Sequence, residues 1–290
     1  MSHSVSVVVP TANRRPHEIL RAVDSVLSQS SGRALSGVEL IVANNSSGRL
    51  NRAIEVLAES GALQVVDASR VTGVSHARNA GARLARHEVL AFLDDDDWWS
   101  PSFLSDLLLE LDAHSADLCS SGFWVWTERG KKPGPMLESP TTAARFLSEN
   151  PGITGSNFII RRSAFEALGG FDEALFASND GDFMIRFLES GEYAWRVVMA
   201  RLVNVDRTPH DQVSVPTPRR VQSMRRFQSI HGAKMGPRVQ RDFEYRLAVC
   251  EAASNRSYWD LVGLIPRHPR WSRQTLGWIK KLALGRHSTF

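Results

Sequence analysis

Hydrophobic positions in the first hundred residues alternate between short, nearly unbroken runs and runs spaced for a helix. Val5–Val9 is almost wholly apolar, as expected of a strand covered on both faces. From Pro16, whose fixed φ suits a first helical turn, Ile19, Leu20, Val23, Val26 and Leu27 recur at helical spacing. The alternation continues as a strand at Val38–Ala43, a helix at Leu50–Ala58, a strand at Leu63–Val66, a helix at Val74–Arg86 and a strand at Val89–Leu93. Strands alternating with helices predict an α/β fold, a Rossmann-like and mainly parallel sheet flanked by helices. Ligands in such sheets bind beyond the carboxyl ends of the strands, which directs attention to Pro10–Arg14, Asn44–Ser47 and Asp94–Asp97.

The pattern loosens beyond residue 100. It predicts a helix at Pro101–Ala113, a strand at Leu118–Trp126, a Gly/Pro/Lys loop over 127–140 and a short strand at Phe158–Arg161. The turn Gly169–Glu173 precedes a helix at Asp180–Ser190, and the polar stretch Thr208–Pro218 marks a boundary. The rest reads as helices broken at Gly236-Pro237 and Pro266–Pro269.

Charge divides the chain in the same place. Residues 217–290 carry fifteen Lys/Arg against four Asp/Glu, whereas the first 216 hold twenty against twenty-seven. On the tail, Trp271, Thr275, Trp278, Ile279 and Leu282 share a helical face beside Arg273, Lys280, Lys281 and Arg286. Such a stripe suits an anionic membrane surface, a helix packed on the body, or a contact between copies in a homo-oligomer. The acidic body argues against a broad nucleic-acid groove, so no nucleic acid is expected as partner. Cys119 and Cys250 lie far apart with no CxxC, which argues against a zinc site or disulfide framework and fits a reducing compartment. With no basic leader and no run of about 20 apolar residues, the expectation is a cytoplasmic protein, peripheral at the membrane at most.

The chemistry concentrates at Asp94-Asp95-Asp96-Asp97, directly after a buried strand. Four adjacent carboxylates repel one another unless something positive lies among them. A hard divalent cation, Mg²⁺ or Mn²⁺, takes one or two carboxylates plus substrate phosphates as ligands. A capped helix needs one acid here and not four. Upstream, Gly73–Gly81 opens a helix whose first turn suits phosphate, and Arg78 adds a fixed positive fork.

Taken together, five segments resemble the family 2 glycosyltransferases. They are Val9-Pro10-Thr11-Ala12-Asn13-Arg14, Ser25-Val26-Leu27-Ser28-Gln29, Gly73 through Gly81 with Ala77-Arg78-Asn79, Phe92-Leu93-Asp94-Asp95-Asp96-Asp97 with Pro101, and Gly169-Gly170-Phe171-Asp172-Glu173 followed by Asp180-Gly181-Asp182 and Arg186. The resemblance implies the A-type glycosyltransferase fold (GT-A). It implies a catalytic domain over 1–216, with a nucleotide-binding half over 1–100 and an acceptor-binding half over 101–216, and a basic helical extension over 217–290. It further implies inverting transfer of a sugar from a nucleotide-diphosphate donor, of UDP or dTDP type, to an acceptor hydroxyl on a glycan, a lipid-linked carrier or a small molecule.

Laid on this sequence, the resemblance puts Pro10, Thr11, Asn13, Arg14, Asn45, Arg78, Asp94 and Asp95 at the nucleotide sugar. It puts Asp96 at the metal, with His210 assisting, and makes Asp180 the general base. Trp98, Trp99, Ser156, Asn157 and Asp182 are candidates for the acceptor side, Trp because it stacks on sugar faces. Two departures stand out. The second strand ends Asn44-Asn45-Ser46-Ser47 where the family carries acids, and Asn179 stands where a Glu often precedes the base. They keep open a non-catalytic, nucleotide-binding relative. A nucleotidyltransferase is the other alternative, opposed by the absence of glycine from Pro10–Pro16.

Overall fold

A computed structural model describes residues 2–12, 15–30, 34–137, 141–208, 216–264, 276–277 and 279. These fall into two compact units. The first takes the described residues of 1–146, 150–173 and 179–209; the second takes those of 147–149, 174–178 and 210–290. Two short stretches from inside the expected catalytic region therefore belong to the second unit.

The first unit is built on a nine-stranded mixed sheet. Its strands are β1 (His3–Thr11), β2 (Leu35–Asn44), β3 (Gln64–Asp67), β4 (Val89–Phe92), β5 (Trp98–Trp99), β6 (Leu118–Thr127), β7 (Gly130–Pro133), β8 (Phe158–Arg161) and β9 (Trp195–Asp206). They run in the order β3-β2-β1-β4-β8-β6-β9-β5, with β7 paired to β6. The half β3-β2-β1-β4 is parallel throughout. Beyond β4 the pairs are antiparallel except β6 with β9. The helices of this unit include α1 (Pro16–Leu27), α2 (Arg52–Glu59), α3 (Val74–Leu84), α4 (Phe103–Ala113), α5 (Ala143–Ser148, which reaches into the second unit), α6 (Arg162–Ala167) and α7 (Asn179–Ser190). Against expectation, β7 forms inside the 127–140 loop: Thr127 closes a turn onto the Gly130 carbonyl, and Gly130–Pro133 returns along β6.

Burial follows the apolar runs. Val5, Val7, Val8 and Val9 of β1 are inaccessible to solvent, as are Val89, Leu90, Ala91 and Phe92 of β4. Between these strands the chain order reverses direction across the sheet, the arrangement that opens a crevice at the carboxyl ends. Helix α3 lies close over β1 because Gly81 has no side chain: a Cβ there would stand 2.3 Å from Val8 Cγ1. Alanine would gain about 1 kcal/mol in helix propensity, but it meets a stiff β-branched side chain with nowhere to move. Overpacking wins, and Gly81→Ala should lose about 1–3 kcal/mol net in urea or thermal denaturation.

The described helices of the second unit are α8 (Pro218–His231), α9 (Pro237–Ser254) and α10 (Tyr258–Leu264), with a 3₁₀ turn at Gly232–Lys234. Tyr245, Val249, Ala252, Ala253, Leu261 and Leu264 form its core, and Ile279 packs partly buried against it. The rest of the expected amphipathic stripe (Trp271, Thr275, Trp278 and Leu282, with Arg273, Lys280, Lys281 and Arg286) lies outside the described residues. No helix among the described residues is long and apolar enough to cross a membrane.

Candidate active site

The crevice brings the expected segments together. Thr11 ends β1 in register with Asn44 at the end of β2, and the acidic turn follows β4 on the other side. Thr11, 2% exposed, donates through Oγ1 to Asp95 Oδ2 at 2.5 Å. Pro10 is buried beside it, paired in the ladder with Ala43. Asn13, Arg14 and His210 lie outside the described residues.

Each acid of the turn has a different environment. Asp94 is ion-paired with Arg78 Nη2, and Asp95 is engaged by Thr11. Asp97 points inward, 3% exposed, accepting from Ser156 Oγ at 2.6 Å and from the Asp206 N–H at 3.1 Å. Burial first, and then Asp96 and Asp94, push the Asp97 carboxyl well above the usual carboxylate range. Asp96 keeps a third of its side chain exposed, with Arg15 Nη2 at 3.8 Å. Its carboxyl is pushed up to about 7 by burial and then by Asp94 and Asp95, with Arg15 opposing.

A divalent cation fits this donor set. Three of the four acids have close protein partners, and Asp96, with only Arg15 at 3.8 Å described beside it, is the carboxylate whose crowding a cation would relieve. Among the described residues no three His, Cys, Asp or Glu side chains converge to hold a metal ion.

Arg78 is 3% exposed. Beside the Asp94 pair, its Nη1 donates to Asn179 Oδ1 at 3.4 Å, and its guanidinium carbon lies 5.2 Å from the Phe171 ring centroid. Opposite stands the backbone of Gly155, where a Cβ would fall 1.9 Å from Nη2. Asp180, in the first turn of α7, is half-buried. Its Oδ1 accepts from the Gly181 N–H at 2.9 Å, and Asn150 Nδ2 lies 3.5 Å from Oδ2. Burial pushes its carboxyl up; Arg78 is the strongest of the groups that hold it down.

Several candidate residues have partners within the protein. Asn45 was expected at the nucleotide, but its Nδ2 donates to the Ala68 and Val71 carbonyls at 2.8 and 2.9 Å, and its Oδ1 accepts from Gly73 N–H at 2.8 Å. It braces the turn before α3, a task an aspartate, which donates nothing when ionised, does not perform. Ser156 and Asn157 are wholly buried. Ser156 Oγ also receives the Asp94 N–H at 3.1 Å, and Asn157 ties its own loop to β6 through the Ser121 carbonyl at 2.7 Å. Trp99 is 3% exposed, stacked on Phe103, its Nε1 donating to the Ser156 carbonyl at 2.7 Å. Asp182, 1% exposed, is paired with Arg186, which in turn donates to the Leu168 and Gly170 carbonyls. Trp98 is partly exposed, but the Arg21 guanidinium carbon lies 3.8 Å from its ring centroid.

Sequence patterns passed over two arginines. Arg15 faces Asp96, and Arg21 donates to the Asp96 carbonyl at 2.6 Å and to Asp206 at 3.1 Å. Arg21 falls among the inward positions Leu20 and Val23 of α1, where a basic residue signals a buried partner.

The chain resembles known proteins in sequence and in fold. Residues 6–169 match the model of Glycosyl transferase family 2. An uncharacterized glycosyltransferase of Haemophilus influenzae is 26% identical over 200 residues, covering 65% of this chain and 63% of that protein. The polypeptide N-acetylgalactosaminyltransferase 8 of Drosophila melanogaster is 28% identical over 194 residues, covering 59% of this chain and 32% of that protein. The chain thus spans less than two thirds of either relative. Among solved structures, S. aureus TarS 1–349 in complex with UDP-GlcNAc superposes with a TM-score of 0.62 at 17% identity, covering 100% of this chain and 94% of that one. With more than half its length matched by that model, the chain belongs to Glycosyl transferase family 2.

Proposed function

We propose that the chain is an inverting glycosyltransferase that moves a sugar from a nucleotide-diphosphate donor, of UDP or dTDP type, to an acceptor hydroxyl in glycan, envelope or glycoconjugate synthesis. The observation that carries this is the gathering of Thr11, Arg78 and Asp94–Asp96 at one crevice, with Asp180 and Arg78 electrostatically linked. Family membership and the UDP-GlcNAc complex of the similarly folded TarS support it.

In this proposal Asp96 holds Mn²⁺ or Mg²⁺, and Arg78 and the start of α3 face the diphosphate. The cation supplies Lewis-acid neutralisation of the leaving group. Asp180 takes the proton from the acceptor oxygen as that oxygen bonds to the anomeric carbon and the bond to the diphosphate breaks. One base on the face opposite the leaving group gives direct displacement, hence inversion.

Calorimetric titration with UDP, dTDP, GDP and CDP, with and without Mn²⁺, tests the donor site. One base class should bind, and only tightly with metal; binding of none would remove the donor-site assignment. Protons compete with metal at Asp96, whose carboxyl is pushed up to about 7 by burial and its acidic neighbours. The sign follows: a raised carboxyl is protonated below that pH, so affinity for the Mn²⁺–nucleotide should climb from pH 6 to pH 8 and then level off. Flat affinity across that range would remove Asp96 from the metal.

A further inference from the structure

The side chain before the proposed base does more than begin a helix. Asn179 is 5% exposed. Its Oδ1 accepts from the Asp180 N–H at 2.8 Å and from Arg78 Nη1 at 3.4 Å, and its Nδ2 donates to Ser75 Oγ at 2.8 Å. A capping side chain spends its oxygen on the N–H two or three residues ahead. This one serves the adjacent residue and a buried guanidinium, joining the first turns of α3 and α7.

Arg78 can shift little. Asp94, the Phe171 ring and the Gly155 backbone enclose it, and Asp94 is its ionic partner among the described residues. Among the charged groups acting on Asp180 are Arg78 and Arg207, both positive, and Asp94, negative. Burial raises the Asp180 carboxyl and Arg78 opposes it. A carboxylate at position 179 would neutralise Arg78 and place a second negative charge beside Asp180; an amide satisfies the same hydrogen bonds and does neither.

We propose that Asn179 is a positioning residue: it fixes Asp180 against Arg78, and its neutrality reserves the guanidinium for Asp94 and Asp180. The proposal rests on Asp180 being the base.

The test uses the full chain and three variants, Asn179→Asp, Asn179→Ser and Asp180→Asn. The Asp180 carboxyl is followed by ¹³C NMR of aspartate-labelled protein, its resonance assigned by its loss in Asp180→Asn. Turnover is read as UDP-GlcNAc hydrolysis across pH, and the donor site as UDP–Mn²⁺ calorimetry. In Asn179→Asp the Asp180 midpoint and the acid limb of hydrolysis should both rise by about one pH unit, with UDP affinity falling as the new carboxylate offsets Arg78. In Asn179→Ser, neutral but too short to bridge both helices, kcat should fall about tenfold or more at unchanged UDP affinity. An unmoved Asp180 midpoint in a folded Asn179→Asp overturns the proposal. So does wild-type kcat in Asn179→Ser, which decides the matter if Asn179→Asp does not fold. Wild-type turnover in Asp180→Asn would instead overturn the base assignment beneath it, and without hydrolysis of UDP-GlcNAc the NMR midpoint alone decides.

Discussion

Asp180→Asn lowers sugar-donor turnover by about 10²–10⁴-fold while leaving UDP–Mn²⁺ affinity within about twofold of wild type. The amide is isosteric, so Oδ1 still receives the Gly181 N–H and the first turn of α7 stays formed. What it loses is the capacity to take a proton, and that capacity matters only once the acceptor oxygen attacks. An interaction used in the transition state alone shows in kcat and not in donor binding. The wild-type pH profile gives the same answer from another side. Burial raises the Asp180 carboxyl above its ordinary value, so turnover falls as pH drops through that raised midpoint. The acid limb should vanish with the variant. Equal loss of UDP affinity would mean that Asp180 shapes the donor site rather than the chemistry.

Asp96→Ala abolishes the metal-dependent part of nucleotide binding, an affinity loss of about 100-fold, or about 2.7 kcal/mol. The neighbours cannot replace it: Asp94 is paired with Arg78, Asp95 with Thr11, and Asp97 faces inward to Ser156. Metal-free affinity should stay level or improve slightly, since removing one of four crowded acids eases repulsion toward a diphosphate. Calorimetry of wild type and variant in EDTA and in Mn²⁺ separates the two effects. Undiminished Mn²⁺ dependence in the variant would move the metal elsewhere in the crevice.

The parallel half of the fold was legible because strands buried on both faces write themselves as apolar runs, and Val5–Val9 and Val89–Leu93 do so. β7 was not, because Gly130–Pro133 is exposed and carries no alternation to read. The site was legible as segments more than as contacts. Gln29 looked like a helix-end residue of a motif, yet its amide holds the Leu104 N–H and the Ser100 carbonyl, fastening the chain just beyond the acidic turn. Asn79 clamps Phe171 by both its N–H and its carbonyl. Much of what resembles a catalytic signature is bracing for a few reactive groups. Spacing along the chain does not separate the two roles, because it does not report burial: Ser156, Asn157, Trp99 and Asp182 are all buried.

Ser156 has a thermodynamic consequence. Its hydroxyl is shared between the Asp94 N–H and the Asp97 carboxylate, its carbonyl receives Trp99, and Arg21 holds the Asp96 carbonyl. The acidic turn is thus preorganised at four anchor points before any ligand arrives. Little conformational entropy remains to be lost there on binding, so a cation bound as proposed would recover the repulsion among the carboxylates with little ordering cost.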